Sequence, residues 1–228
     1  MLARDYVISV ILSCSCFCGV AETRTFSGSV AASLAPYQFT AHFRGPESAL
    51  AGGLGRIDSI EVRNGDTLLQ TIRYSNDDDA PTEFGEPGGL MSLVDVDCDG
   101  YKDLLVRKIS GEAVNAWFYL YRFNPVSGKF LLYQTFDQLP YESVNCHTKL
   151  VHTHMKGALA GCLYEDGLYR WVHGELMPVR IETQDAGKDE RAVERTVYAW
   201  RHGRKRLQSR NTFALEDCHA QSEHFPKD

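Results

Sequence analysis

Ile57-Asp58-Ser59-Ile60-Glu61-Val62, then Asn64-Gly65, then Thr67-Leu68-Leu69-Gln70-Thr71-Ile72 is the stretch that decides the fold. Apolar residues alternate with polar ones on both sides of an Asn-Gly pair. That pattern is a strong hairpin signal, because glycine takes the positive φ that a tight turn demands. The scheme recurs along the chain. Trp117 to Phe123 and Lys129 to Phe136 flank Asn124-Pro125-Val126-Ser127-Gly128. Ala158 to Tyr164 and Leu168 to Val172 flank Glu165-Asp166-Gly167. His173-Gly174 then leads into Glu175 to Thr183, and Thr196 to Arg201 and Arg204 to Phe213 flank His202-Gly203. Tyr37 to Phe43 alternates cleanly as an opening strand. Helical periodicity is almost absent, so the sequence predicts an all-β chain. Its architecture is expected to be an antiparallel meander of hairpins, propeller-like or an irregular sandwich. Ser75 to Gly89 and Gln184 to Glu194 read as loops, and Gly52-Gly53-Leu54-Gly55 as a linker. Tyr169-Arg170-Trp171-Val172-His173-Gly174 returns as Tyr198-Ala199-Trp200-Arg201-His202-Gly203, with a weaker copy at Tyr121-Arg122-Phe123, as in a repeat of hairpins.

Residues 1–21 read as a signal peptide and 22–228 as a single β domain. Arg4 precedes a short apolar run, Tyr6 to Phe17, and Gly19-Val20-Ala21 supplies small residues for cleavage. In a second reading, Ile11-Leu12-Ser13 before Cys14 resembles a bacterial lipoprotein box, with membrane attachment through lipid on Cys14. Either route places the mature chain in the periplasm, soluble or as an outer-membrane lipoprotein. Outside the leader four cysteines remain: Cys98, Cys146, Cys162 and Cys218. An even set in an oxidising compartment suggests two disulfides. Cys146 with Cys162 looks easiest, since both end adjacent strand candidates, leaving Cys98 with Cys218. No C-x-x-C pair exists, which speaks against a zinc ribbon or a redox motif. The net charge of −6 argues against a nucleic-acid partner. Against that background His202-Gly203-Arg204-Lys205-Arg206 and Arg210 form a basic stretch, either a solvated hairpin or a contact for an acidic partner.

The densest chemistry lies in Asp95-Val96-Asp97-Cys98-Asp99-Gly100-Tyr101-Lys102-Asp103. Carboxylates this close repel one another and ask for a counter-ion. Calcium suits them, taking about 6–8 oxygen ligands in tolerant geometry. Asp95, Asp97 and Asp99 would give side-chain oxygens, Tyr101 its carbonyl, and Asp103 a side chain directly or through water. Gly100 permits the turn around the ion. A complete helical calcium loop also needs a bidentate Glu at its twelfth place, and Val106 stands there. The flanks, Met91 to Val94 and Leu104 to Val106, read as short buried strands. Asp77-Asp78-Asp79 is a weaker second candidate without a wrapping glycine, and His147, His152 and His154 are a metal alternative with no converging third ligand.

No catalytic constellation stands out. G-x-S-x-G, H-E-x-x-H and a phosphate-binding glycine loop are all missing, and nothing selects a carboxylate pair, so the chain is expected not to be an enzyme. What remains is binding. Ser110, Gly111, Glu112 and Asn115, followed by Trp117 and Phe118, make a small polar loop beside the aspartates that could project into a cleft. Asp166-Gly167 with Tyr169 is a second loop candidate.

In order, the chain shows an alternating strand, a S-I-E-V hairpin closing on L-Q-T-I, V-D-V-D-C-D-G-Y-K-D-L-L, a Ser/Gly/Asn loop, F-N-P-V-S-G-K-F and Y-R-W…G-E-L. Over Phe39 to Leu176 this resembles exported bacterial immunity proteins that inhibit a peptidoglycan hydrolase delivered by a rival's type IV secretion system. They are similar in logic to periplasmic lysozyme inhibitors. The resemblance implies an all-β, propeller-like fold, structural calcium on the aspartate loop, and a protein partner whose cleft is plugged by a loop. The aspartate segment is also similar to FG-GAP and VCBS-type repeats. The competing expectation is therefore a secreted, calcium-dependent adhesion or glycan-binding module. The chain departs from the family at Asp97 and Cys98, where Asn and an aromatic are usual. It also departs at Ala113, where lysozyme inhibitors place Tyr after Ser-Gly.

Overall fold

The computed structural model describes residues 23–43, 56–74, 90–108, 115–187 and 191–220. The leader, Gly52 to Gly55, Ser75 to Gly89 with its three aspartates, and Ser110, Gly111 and Glu112 lie outside the described residues. Among the described residues fourteen strands form three antiparallel sheets, each a meander in which sequence neighbours pair. The first sheet holds β1 (Thr23–Gly28), β2 (Tyr37–Phe43), β3 (Ile57–Asn64) and β4 (Thr67–Arg73). The second holds β5 (Met91–Val94), β6 (Asp103–Arg107), β7 (Phe118–Asn124) and β8 (Lys129–Tyr133). The third holds β9 (Tyr141–Asn145), β10 (Leu150–Lys156), β11 (Tyr164–Val172), β12 (Glu175–Ala186), β13 (Ala192–Arg201) and β14 (Arg204–Ala214). Among the described residues there is no α-helix, only short 3-10 turns such as Leu215–Ala220.

Alternation in the second sheet explains the layering. Leu104 and Val106 of β6, with Tyr119, Tyr121 and Phe123 of β7, point into a core shared with the first sheet, where Phe39, Ile60 and Val62 are fully buried. Leu105 and Leu120, pointing the other way, join Val96, Phe136, Val151 and Tyr169 in a second core against the third sheet. The central strand β6 is thus buried on both faces along Leu104-Leu105-Val106, where successive residues are apolar, whereas Leu131 and Leu132 of the edge strand β8 are exposed.

The predicted hairpins form, with corrections. Asn64 pairs with Thr67, so Gly65, at φ 55°, and Asp66 make the turn. His173-Gly174 and His202-Gly203 both turn, each with two positive φ angles, as a two-residue I′ turn requires. Glu165-Asp166-Gly167 does not turn. β11 runs straight through it, pairing Asp166 with His154 and Gly167 with Thr153. Gly167 is there for close approach, since a Cβ would collide with the side chains of Thr153 and Tyr169. The charged stretch Gln184 to Glu194 is strand at both ends rather than loop. β12 continues to Ala186 and β13 begins at Ala192, pairing Gln184 with Arg195.

The disulfides use the four expected cysteines in another pairing: Cys98 with Cys146, and Cys162 with Cys218. The expected Cys146–Cys162 bridge fails because seven-residue β10 lies between them. A strand rises about 3.4 Å per residue, which holds its two ends roughly 20 Å apart, far beyond disulfide reach. Cys146 instead sits by the aspartate loop, and Cys162 by the returning C-terminal turn.

Candidate metal centre

The aspartate loop joins β5 to β6 and touches all three sheets. Lys102 N–H donates to the Val30 carbonyl of the first sheet's loop at 2.8 Å. The Tyr101 ring lies 5.5 Å from Phe123 of the second. Trp171 Nε1, from the third, donates to the Val96 carbonyl at 2.8 Å. The Cys98–Cys146 bridge adds a covalent tie to the β9–β10 turn. Within the loop, Asp95 accepts from the N–H groups of Asp99 and Gly100, each at 3.0 Å, and Asp99 accepts from Tyr101 N–H at 2.8 Å. Gly100 takes φ 95° and Cys98 takes φ 58°. The backbone therefore curls so that Asp95, Asp97 and Asp99 each bring one carboxylate oxygen within 4.8 Å of the others.

Could these residues hold a cation? Asp97 gives the sharpest answer. Its side chain is 5% exposed. Oδ2 accepts from Arg122 through Nε, at 2.8 Å, and through Nη2. Oδ1 is buried with no hydrogen-bond partner among the described residues. An orphaned buried carboxylate oxygen is costly, and a cation would satisfy it. The charge balance agrees: three carboxylates against one guanidinium leave two negative charges, which one divalent ion neutralises. Burial raises the Asp99 carboxyl above its usual value, the neighbouring Asp97 and Asp95 charges add to this, and the Tyr101 N–H opposes it. A bound cation would reverse that repulsion.

Asp103 does not join the cluster. It is 1% exposed and accepts from Val96 N–H at 3.1 Å through Oδ2 and from Phe123 N–H at 2.9 Å through Oδ1. Burial pushes its carboxyl up to about 7, against the pull of those two donors, with Asp97 and Asp99 adding to the rise. Its role is to close the loop onto β7. Arg122 and Trp171 were not legible as site residues. Arg122 lies between Asp97 and the Trp171 ring, 4.9 Å from its centroid, and Tyr133 meets the same ring edge-on at 4.9 Å. The only sequence signal was that both belong to the recurring aromatic-Arg hairpin pattern.

The projecting-loop residues that are described serve as its base. Asn115 Nδ2 donates to the Lys156 carbonyl at 2.9 Å, and its Oδ1 accepts from Lys156 N–H at 2.7 Å. Trp117 bridges Pro140, and Phe118 packs edge-on to Tyr141. Asp166, expected in a second loop, instead pairs across strands with His154 Nδ1 at 2.5 Å, and Tyr169 is buried in the second core. The histidines form no ligand group among the described residues. On the outer face of the third sheet, Glu182 is 3% exposed and takes Tyr164 Oη at 2.8 Å, Arg180 Nη2 at 2.7 Å and Arg195 Nε at 2.5 Å. Nothing in the pattern Arg180, Glu182, Gln184 distinguished this network from an exposed strand face.

Fold and site together define an all-β protein of serial meander sheets with two disulfides, one of which anchors a candidate divalent-cation loop. The disulfides suggest an extracytoplasmic setting. No family model and no curated protein matches the sequence. The fold does have a match among solved structures: a Xanthomonas protein described as related to the type IV secretion system is similar with a TM-score of 0.56. The match has 12% identity and covers 81% of this chain and 93% of that one. At that identity the likeness is one of fold. No helix of the described residues is long and apolar enough to cross a membrane.

Proposed function

We propose that this chain is an exported, non-catalytic immunity protein that binds and occludes a peptidoglycan-degrading enzyme, with calcium as a structural brace. The supporting observation is the shared fold, which spans nearly all of a protein related to type IV secretion. It is joined by the motif order that resembles immunity proteins of that system. Calcium, rather than a softer metal, follows from a donor set made wholly of oxygen. Asp95, Asp97 and Asp99 supply carboxylates and Tyr101 its carbonyl. The ion stiffens the joint between the three sheets, so that a binding surface is rigid before it meets its partner, which favours affinity.

A peptidoglycan turbidity assay tests the reading. Pre-mixing the protein with lysozyme-like hydrolases, including any encoded beside it, should slow clearing by at least one of them. Clearing by the protein alone would overturn the non-catalytic assignment. Retention on peptidoglycan that EDTA abolishes, with no inhibition of any hydrolase, would point to a calcium-dependent glycan-binding module instead.

A further inference from the structure

Strand pairing divides the third sheet into two faces of different character. One row of directly opposed residues runs Leu168, Arg180, Ala199, Arg206 from β11 to β14, so these four share a face. Two residues nearer the turns, alternation adds Arg170, paired with Met177, and Arg201, paired with Arg204. Trp171 falls on the opposite face, where its Nε1 donates to the Val96 carbonyl of the aspartate loop. The acidic loop and the arginines therefore lie on opposite sides of the sheet. Away from the turns, charge on the arginine face is already matched. Arg180 and Arg195 hold Glu182 at 2.7 and 2.5 Å, and His154 holds Asp166. Toward the turns it is not. Arg170, Arg201, Arg204 and Arg206 are exposed. The carboxylate of these two hairpin ends, Glu175, accepts from the Tyr133 hydroxyl at 3.0 Å. Val172, two residues beyond Arg170, and Met177 stand beside the arginines, 41% and 43% exposed.

We propose that the turn-ward half of this arginine face docks on an anionic phospholipid surface. Charge sets the sign of the partner. A chain of net charge −6 is repelled by anionic headgroups unless it turns its cations toward them and its aspartate loop away, and the two faces of the third sheet make that orientation possible. The distribution of the cations sets the kind of partner. The four guanidiniums are spread over β11 to β14, about 14 Å at a strand spacing of about 4.8 Å, and do not converge on one point as a single bound anion requires. Mobile phosphate headgroups can match such an array one by one, and arginine meets phosphate through two parallel hydrogen bonds. The apolar side chains complete the match. Proteins that lie on a bilayer combine cations with apolar groups that enter the boundary between headgroups and acyl chains, and Val172 and Met177 occupy that place here. Each arginine near an anionic surface strengthens binding by roughly fivefold.

The test is co-sedimentation of the full chain with mixed phosphatidylglycerol–phosphatidylcholine vesicles and with phosphatidylcholine vesicles at low salt, alongside melting followed by circular dichroism. The parent should bind the mixed vesicles, lose most of that binding at about 0.5 M salt, and leave phosphatidylcholine in the supernatant. Arg201→Gln/Arg204→Gln should bind at least about tenfold more weakly. Arg73→Gln/Lys129→Gln removes the same charge from exposed positions on the other two sheets and should bind as the parent does. Met177→Ser should weaken binding several-fold with the salt dependence unchanged. Should the paired substitution disturb its hairpin and lower the melting temperature, Arg170→Gln on the neighbouring hairpin should still weaken binding by about fivefold. Equal weakening by the two double variants would show that net charge alone is at work and would overturn the proposal. So would a parent that ignores the mixed vesicles, or one that binds poly-L-glutamate more tightly than the vesicles, which would make the partner an acidic protein.

Discussion

At the scale of single residues, the carboxylates of one loop divide into two kinds of work. Asp97 has an unsatisfied buried oxygen and an arginine partner, whereas both Asp103 oxygens hold backbone N–H groups. Sequence spacing treats the two alike, since both fall on the alternation of the motif. Only the fold shows that β7 passes close enough for Phe123 to claim Asp103. The substitutions should therefore behave differently. Asp103→Ala leaves two buried N–H donors unpaired, at about 1–3 kcal/mol each. Urea melts should show a loss of about 2–6 kcal/mol whether or not calcium is present. Asp97→Asn keeps the shape and removes a charge from the ion. Its melting midpoint in EDTA should match the parent's within a few degrees, while its response to added calcium falls by about tenfold or more in half-saturating concentration. Equal calcium responses in Asp97→Asn and parent would refute the metal centre. Gly167→Ala belongs here too. The added methyl meets Thr153 and Tyr169, and overpacking of this kind costs about 1–3 kcal/mol.

Elements show where pattern reading succeeds and where it stops. The hairpins with a Gly at the turn were legible, because a tight turn needs a residue that accepts positive φ. Asp166-Gly167 has the same letters and sits mid-strand, because a glycine also serves where two strands crowd together. One dipeptide carries both meanings, and the tertiary neighbour Thr153 decides between them. The disulfide pairing was illegible for a related reason: it depends on which end of β10 each cysteine occupies, and sequence distance does not report that. The observed pairing predicts unequal consequences. Replacing Cys162 and Cys218 by serine frees the C-terminal turn and should cost about 2–4 kcal/mol with calcium binding retained. Replacing Cys98 and Cys146 loosens the loop between two ligands and should weaken calcium binding as well as stability, by calorimetric titration. Strand pairing also sets a pH dependence. The hydrogen bond and charge of Asp166 raise the His154 pKa above 6.5, with burial opposing. The stability this pair contributes is therefore full below about 6.5 and fades as pH rises through the raised value. The gap in unfolding free energy between parent and Asp166→Asn should be wider near pH 6 than near pH 9.

For the whole molecule, the question is whether the aspartate loop is a local ornament or a joint. Alternation along the strands made the all-β class legible, and the unbroken Leu104-Leu105-Val106 read as a short buried strand, as it is. The stacking of three sheets, and the position of the loop between them, was not legible, because it rests on contacts such as Trp171 with Val96 and Lys102 with Val30 that join distant segments. Those contacts make the joint reading testable. An ion that binds only the folded chain stabilises it by about 2.7 kcal/mol at a hundred times its dissociation constant. For a chain of this size that is a shift in melting temperature of about 5–10 °C. A purely local site would let the loop fray in EDTA while the sheets melted where they did before, and tryptophan emission would change well below the transition seen by far-ultraviolet circular dichroism. A joint predicts that both probes move down together by the full shift, since Trp171 couples the loop to the third sheet and Tyr101 couples it to the core of the first two. Separate transitions, or an unmoved midpoint, would show that the sheets hold one another without the ion.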